Sequence, residues 1–225
     1  MKYKMTDETM VVCGITLHRI QALEDNGNIK TGDLLGWIEK EENLSQEGRC
    51  VVRDNAKVWG GASVLGDAAV YGNARVLGNA TVYGNARVLS NATVYGNASV
   101  SGDAEVYGNA IVLGDATVYG NASVLGDSEV LGNARVSGDA VVRGNARVCD
   151  SNDFMWVSNI GSRDDTTTFF KNKHGGISVS CGCFSSTLEE FETAVTETHG
   201  SNHYAEEYEL AIQLAKLHIK RSEIK

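Results

Sequence analysis

Long apolar runs and an excess of basic residues are both missing from this 225-residue sequence. No stretch approaches the roughly 20 apolar residues that a membrane-spanning helix needs, so we expect no membrane span. The 20 Lys and Arg residues are outnumbered by 29 Asp and Glu residues. This balance argues against a protein that binds the grooves of duplex DNA through a basic face.

Paired cysteine spacing and an apolar N-terminal segment are also missing. The five cysteines are an odd number and show no zinc-type arrangement, and the first ten residues, MKYKMTDETM, contain no signal-like apolar region. Both features are typical of proteins in a reducing compartment. We therefore expect a cytoplasmic protein with free thiols.

The central part of the chain contains a strict internal repeat. Valine occupies every sixth position from Val52 to Val148, seventeen times without an insertion or a substitution. A small residue follows each Val after four positions, and it is Ala in fifteen of sixteen cases, with Ser128 as the exception. The repeating unit is V-x-G-[ND]-A-x, and it extends over residues 51–149.

The repeat predicts a solenoid. Ala and the next Val are two residues apart, so both point to one side of an extended segment. Gly-Asn or Gly-Asp pairs between them supply the positive φ angles of a sharp corner, with Asp54 and Ser90 departing at the Gly position. Because one hexapeptide cannot bury its Val and Ala alone, successive turns must stack along an axis.

The hexapeptides VYGNAR, VLGNAT and VLGDAT resemble the motif of left-handed parallel β-helix proteins. That resemblance implies 18-residue triangular coils, a left hand and an interior of aliphatic and small residues. The segment from Gly32 to Val58 resembles the entry segment of bacterial and phage hexapeptide-repeat proteins assigned as transferases. We therefore predict a mainly β protein with an N-terminal β cap (1–50), a β-helix (51–149) and a C-terminal α+β domain (150–225).

Large apolar residues dominate the outward position after each Val. On an 18-residue coil one stack forms an apolar ridge of Trp59, Leu77, Tyr95, Leu113 and Leu131. Exposed apolar patches usually mark interaction sites, and the resembling proteins commonly form trimers with parallel axes. We predict that the ridge is the interface of a homotrimer. In the alternative interpretation, Tyr and Leu simply favour strand surfaces, and the chain is a monomer.

Both flanks contain recognisable elements. In the N-terminal flank we predict extended segments over 10–23 and 28–39, a turn at 25–28, and closure of the open lower end by Trp37, Ile38 and Leu44. The C-terminal flank predicts short strands that include 166–171 and 177–181, then helices over 186–198 and 203–220. Ser186 and Glu189 form the predicted capping box of the first helix. The segments IGSRDDTTTFF, GGISVSCGCF and TLEEFETAV of this flank resemble a module of phage-encoded proteins without an assigned activity.

The repeat lacks the residues that enzymes of this class use. Hexapeptide acyltransferases typically supply a histidine base and a loop that projects over the acyl-CoA, and carbonic-anhydrase-like relatives bind metal through histidines on adjacent coils. All five histidines lie outside residues 51–149, and no loop interrupts the seventeen units. We therefore expect no catalytic residue, metal or cofactor. Cys181 and Cys183 could bind metal or pair with each other, but no third or fourth ligand stands nearby, so we predict that they are buried small residues.

The C-terminal flank contains the candidate ligand site. A loop at 161–165 and the threonines after it concentrate hydroxyls and a guanidinium, groups that bind phosphate or carboxylate. The predicted ligand-binding residues are Ser162, Arg163, Thr166, Thr167, Thr168, Lys171, His174 and His199. In the alternative interpretation, Asp164 and Asp165 pair with Arg163 in a polar turn. Likewise, Gly200 and Asn202 explain the segment around His199 as helix caps.

Three functions remain open at this stage. The favoured hypothesis is a non-enzymatic, trimeric binding scaffold. If the chain is phage-encoded, we expect it to act in the host cytoplasm, where it would sequester a host defence protein or a small phosphorylated, nucleotide-like ligand. The alternatives are a hexapeptide acyltransferase with a catalytic residue in a flank, and a purely structural or virion component.

Overall fold

Each hexapeptide of the repeat forms a short strand and a corner in the computed structural model, which describes residues 1–220. Strands that lie 18 residues apart pair in parallel, so that Val88 lies beside Val70 on one side and Val106 on the other. The backbone hydrogen bonds follow the same period: the Lys57 N–H donates to the Ala74 carbonyl over 2.9 Å. The predicted parallel β-solenoid is confirmed, with about six turns. Its left hand stays a prediction.

The solenoid has three faces, each a parallel sheet. The first face contains β5 (Lys57–Val58), β8 (Arg75–Val76), β11 (Thr93–Gly96), β14 (Ile111–Gly114), β17 (Glu129–Val130) and β20 (Arg147–Val148). The second contains β4 (Val51–Val52), β7 (Ala69–Val70), β10 (Arg87–Val88), β13 (Glu105–Val106), β16 (Ser123–Val124) and β19 (Val141–Val142). The third contains β6 (Ser63–Val64), β9 (Thr81–Val82), β12 (Ser99–Val100), β15 (Thr117–Val118) and β18 (Arg135–Val136).

The interior consists of ladders of Val and Ala. Every Val of the repeat has no exposed surface, and each small residue four positions later is buried as well, including Ser128. Ser128 satisfies its hydroxyl locally by donating to the Leu125 carbonyl over 2.8 Å. Burying one aliphatic side chain of this size contributes roughly 1.5–3 kcal/mol, so these ladders are the main source of stability.

The corners are tightly stacked and depend on positive φ. A side chain added at Gly108 would lie 2.9 Å from the Gly126 nitrogen of the next coil, so the corners approach at backbone contact. Asp54 and Ser90 occupy this position with φ angles of 60° and 63°. The Asp54 carboxylate accepts a hydrogen bond from the Gly72 N–H over 3.0 Å, whereas no bond of the Ser90 side chain compensates for its backbone strain.

Asparagine ladders run along the corners. The Asn73 amide donates to Asn91 over 3.2 Å, Asn91 donates to Asn109 over 3.1 Å, and Asn109 donates to the Asp127 carboxylate over 2.8 Å. Stacked amides of this kind reinforce cross-β structures. The series ends at Asp127 because a carboxylate accepts a hydrogen bond but has no proton to donate to the next coil.

The N-terminal cap extends the first face. β1 (Tyr3–Val12) and β2 (Ile15–Ala22) form an antiparallel hairpin, and β2 pairs with β3 (Leu34–Ile38), which runs parallel to β5. The prediction of one extended segment over 10–23 was wrong, because positive φ angles at Cys13 and Gly14 turn the chain there. The predicted turn at 25–28 is confirmed by paired backbone hydrogen bonds between Asn26 and Ile29.

Two of the three predicted closing residues lie at the lower end of the core. Ile38 pairs with Val58, and Leu44, directly after a 3-10 helix (Glu41–Asn43), bridges to Val64. Both side chains are fully or almost fully buried. Trp37 points away from the interior and packs against Trp59 on the outside of the first face. Its predicted role in closing the lower end was therefore wrong.

The C-terminal module is a four-stranded antiparallel sheet followed by two helices. The strands are β21 (Phe154–Ile160), β22 (Asp165–Lys171), β23 (Ile177–Cys181) and β24 (Phe184–Thr187), and the helices are α1 (Leu188–His199) and α2 (His203–Lys220). The predicted bounds of α2 are confirmed. The capping box of α1 consists of Thr187 and Glu190, one residue beyond the predicted pair. Residues 221–225 lie outside the described part of the chain.

Strand β22 joins the solenoid to the C-terminal module. Its side chains point alternately toward the solenoid and toward the helices of the module. Phe170 packs with Phe154 onto the upper end of the solenoid core, while Phe169 packs against the helices. The Thr168 hydroxyl accepts a hydrogen bond from the Val141 N–H over 2.9 Å. The module thus covers the last coil, as the N-terminal strands cover the first.

We predict that Ser90→Gly stabilises the protein. A non-glycine residue with φ near +60° costs about 1 kcal/mol, and glycine removes most of that cost. Thermal unfolding should show a higher midpoint for Ser90→Gly. Asp54→Gly is the matched control, and it should gain less because it loses the hydrogen bond to Gly72. An unchanged or lower midpoint for Ser90→Gly would contradict the strain.

Candidate functional site

The apolar ridge is partly covered by the chain itself. Trp59 is 6% exposed because Leu17 and Trp37 pack on it, and Leu77 borders the same cluster. Trp59 therefore needs no partner subunit for its burial. Tyr95 is 39% exposed, and Leu113 and Leu131 are half-buried. The free part of the ridge runs over the middle and upper coils of the first face.

Three of the eight predicted ligand-binding residues meet in one cleft. Ser162, Arg163 and His199 line a cleft of about 220 Å³ in the C-terminal module. The first two lie in the β21–β22 loop and the third at the end of α1. Among the described residues, no group of three or more acidic, cysteine or histidine residues could hold a metal ion. The cleft is the candidate ligand site because it brings three of the predicted residues together.

The three predicted threonines do not contribute to this cleft. Thr167 and Thr168 are completely buried on opposite sides of β22, where Thr168 bonds to the solenoid and the Thr167 hydroxyl donates to the Cys181 thiol over 3.2 Å. Thr166 lies beside Ser158, with 2.7 Å between their hydroxyl oxygens. The alternative interpretation of these threonines as ordinary strand residues describes them better than ligand binding does.

Lys171 and His174 lie at the other end of β22. The strand is seven residues long, so these residues are about 20 Å from the β21–β22 loop. Lys171 lines an open depression with Arg147 and Lys173, and His174 is exposed in the following turn. The structure therefore does not unite them with Arg163 and His199.

The floor of the cleft is aromatic and aliphatic. The Phe184 and Phe191 ring centroids are 5.2 Å apart, and Phe191 meets Tyr208 edge-to-face at 5.4 Å. Ala194 and Val195 of α1 complete this surface. Phe191 and Val195 face inward because Leu188, Phe191 and Val195 form the apolar stripe of an amphipathic helix.

The loop that bears Arg163 is held firmly at its start. The Gly161 N–H donates to the Glu207 carboxylate over 2.7 Å, and a side chain at Gly161 would collide with the Tyr208 ring. Asn159 and Asp164 both have positive φ, so the loop adopts a strained, defined path. Ser162 and Arg163 are thus presented by an anchored backbone.

The rim of the cleft contains two opposite charges that do not form an ion pair. A methyl group placed on Gly182 would lie 3.2 Å from Asp165 Oδ2 and 3.9 Å from Arg163 Nη1, so both groups flank the same point. Within residues 1–220 the Arg163 guanidinium forms no hydrogen bond or ion pair. The predicted alternative, in which Asp164 and Asp165 neutralise Arg163, was therefore wrong.

Tyr208 and Cys181 stand at the inner end of the cleft. The Tyr208 hydroxyl lies 3.7 Å from the Cys181 thiol. Burial, followed by the hydrogen bond with Cys181, raises the pKa of Tyr208 well above its usual range. The phenol therefore stays protonated and can donate. Cys183 is exposed in the β23–β24 turn and Cys181 is only partly buried, so the prediction that both cysteines are buried was wrong.

His199 lies at the opposite wall. Its ring centroid is 5.7 Å from that of Tyr208 and 5.8 Å from that of Tyr204. Gly200 caps α1 through a bond from its N–H to the Thr196 carbonyl, and the Asn202 side chain caps the start of α2. The predicted caps are confirmed, and they leave the His199 ring at the cleft.

The solenoid fixes the turn below the rim through one arginine. Arg143 Nη2 donates to the Gly182 carbonyl over 2.9 Å and also to the Phe184 carbonyl. Arg143 ends the outward stack of the second face, where the coils directly below it place Leu125, Tyr107, Leu89 and Tyr71. Sequence analysis missed this role, as it missed Phe184 and Tyr208, because the partners are distant in sequence.

Comparison with known proteins supports the fold. A family model described as the YdcK beta solenoid repeat matches residues 68–84 and 104–120. The two matched segments begin 36 residues apart, which is two coils of the solenoid. No curated protein matches the chain. The chain is a repeat β-solenoid protein, and no helix among residues 1–220 has the length and apolarity to cross a membrane.

We predict that Arg143→Met loosens the cleft while leaving the solenoid folded. Two carbonyls of the β23–β24 turn would lose a charged donor, and a hydrogen bond to a charged group contributes about 1.5–3 kcal/mol. Amide hydrogen exchange over 181–185 should accelerate about ten-fold, with unchanged protection of 60–120. Arg135→Met is the control, since Arg135 is exposed and forms no hydrogen bond in the described chain. Equal exchange in both variants would refute the proposed clamp.

Proposed function

We propose that this protein is a non-enzymatic, oligomeric binding scaffold whose solenoid spaces several copies of the C-terminal cleft. The observation that carries the proposal is the unpaired Arg163 guanidinium at the mouth of a cleft with an anchored loop and an apolar floor. Concave apolar surfaces with a few placed polar groups are typical of small-molecule sites. An anionic group on the ligand would satisfy Arg163.

The free part of the apolar ridge supports the proposal of a homotrimer. Leu77, Tyr95, Leu113 and Leu131 form one uninterrupted line on a regular, flat face. Serines at 101 and 137 interrupt the corresponding line of the third face, although Tyr83 and Tyr119 there are 45% and 40% exposed. A continuous line buries more apolar area against a parallel neighbour, which favours the first face over the third as the interface.

The narrower proposal concerns biological use. If the chain acts inside a host cell, a trimer of rigid columns with one cleft per subunit is suited to sequester a small charged host signal or to hold a host protein. The capped ends of the solenoid support a closed assembly over an indefinite fibre, because neither end leaves a coil open for stacking.

We predict that Tyr95→Glu breaks the trimer. A charge in the centre of a buried apolar interface is strongly unfavourable, so light scattering after size exclusion should fall from about three times 24.1 kDa to 24.1 kDa. Tyr83→Glu on the third face is the matched control and should stay trimeric. A monomeric wild-type protein would refute the trimer, and turnover of acetyl-CoA by the purified chain would refute the non-enzymatic assignment.

A further inference from the structure

The lining of the cleft in the C-terminal module is more specific than that of a general anion-binding site. It combines one cation, one carboxylate and an apolar floor in about 220 Å³, which is below the roughly 300–1,000 Å³ of pockets that enclose drug-sized ligands. A ligand that fills it must therefore be small and must satisfy both charges.

The two charges decide which small molecules fit. Arg163 Nη1 and Asp165 Oδ2 flank the same point above Gly182 without forming an ion pair. A simple carboxylate or phosphate would satisfy Arg163 but would be repelled by Asp165. An amine would satisfy Asp165 and be repelled by Arg163. Only a molecule with a cation and an anion a few ångströms apart meets both groups with favourable charge.

The apolar floor of the cleft determines which further group on the ligand is favoured. Phe184, Phe191 and Val195 offer an apolar surface immediately inside the charged rim. A third group attached beside the two charges would project onto this surface. Apolar groups gain about 25 cal/mol per Å² removed from water, so an aliphatic or aromatic substituent is favoured there.

We propose that the cleft binds a free α-amino acid with an apolar side chain. Its carboxylate pairs with the Arg163 guanidinium, its ammonium group pairs with the Asp165 carboxylate, and its side chain lies on the Phe184 and Phe191 rings. Ser162 and the Tyr208 hydroxyl are the neighbouring hydrogen-bond donors for the carboxylate. Internal residues of a peptide carry neither charge on the α-carbon, so the recognition is specific for the free amino acid.

This inference rests on the proposed binding function of the same cleft and makes it more specific. The nucleotide-like ligand considered above differs in one respect that can be tested. A nucleotide presents a phosphate of higher negative charge and no ammonium group, so Asp165 would weaken its binding. An amino acid needs Asp165, and loss of that carboxylate would weaken its binding instead.

The test is calorimetric titration of the full-length protein with L-phenylalanine and L-leucine. L-phenylalaninamide lacks the carboxylate and N-acetyl-L-phenylalanine lacks the ammonium charge, and each should bind at least about ten-fold more weakly, the factor that corresponds to one lost charge-assisted contact. Arg163→Gln and Asp165→Asn should each weaken L-phenylalanine binding by a similar factor. Both residues are exposed, so the variants should fold normally.

A variant that fills the cleft tests whether the ligand binds on its apolar floor. Ala194→Leu places a larger side chain in the cleft and should abolish binding, whereas Thr193→Leu, at an exposed position of the same helix, should leave it unchanged. Absence of binding by every apolar amino acid would overturn the inference. Binding of AMP that Asp165→Asn strengthens would overturn it too, yet would preserve the binding scaffold. If neither probe nor any co-purified molecule occupied the cleft, both proposals would fall.

Discussion

The stacking of valine and alanine side chains at an 18-residue interval is the constraint on which the rest of the molecule depends. Each Val lies between two others of the same face, and no residue of the ladder can move along the axis without opening a void. Close packing makes such voids costly. The seventeen valines keep this interval without an insertion.

The ladder also determines what the corners and the ends must do. Because the coils are one strand spacing apart, the corners meet at backbone distance and need a residue that tolerates positive φ. A repeat of this kind has two open ends, and each end is closed by a different device. Ile38 and Leu44 extend the ladder itself at the lower end, whereas Phe154 and Phe170 of an antiparallel sheet cover the upper end.

The repeat made the solenoid predictable because its information is local and periodic. The register of the three sheets, the burial of Val and Ala and the exceptions at Asp54 and Ser90 all follow from spacing alone. The flanks were less predictable. Ser186 and Thr187 each stand three residues before a Glu, so the sequence offers two capping boxes, and only packing of Leu188, Phe191 and Val195 selects the second. The cover on Trp59 depends on a hairpin more than forty residues away.

The cleft illustrates the same limit for function. The sequence alone was enough to select Ser162, Arg163 and His199, because hydroxyl, guanidinium and imidazole groups are common ligand-binding groups. Asp165 seemed to neutralise Arg163, and only the structure shows that the two charges flank a gap. Arg143 of the solenoid holds the turn at Gly182, which the two charges flank, while Glu207 and Tyr208 of α2 hold the β21–β22 loop on the other side. The rigid column therefore contributes to the site, since a guanidinium on its last coil holds the turn that lies between the two charged groups.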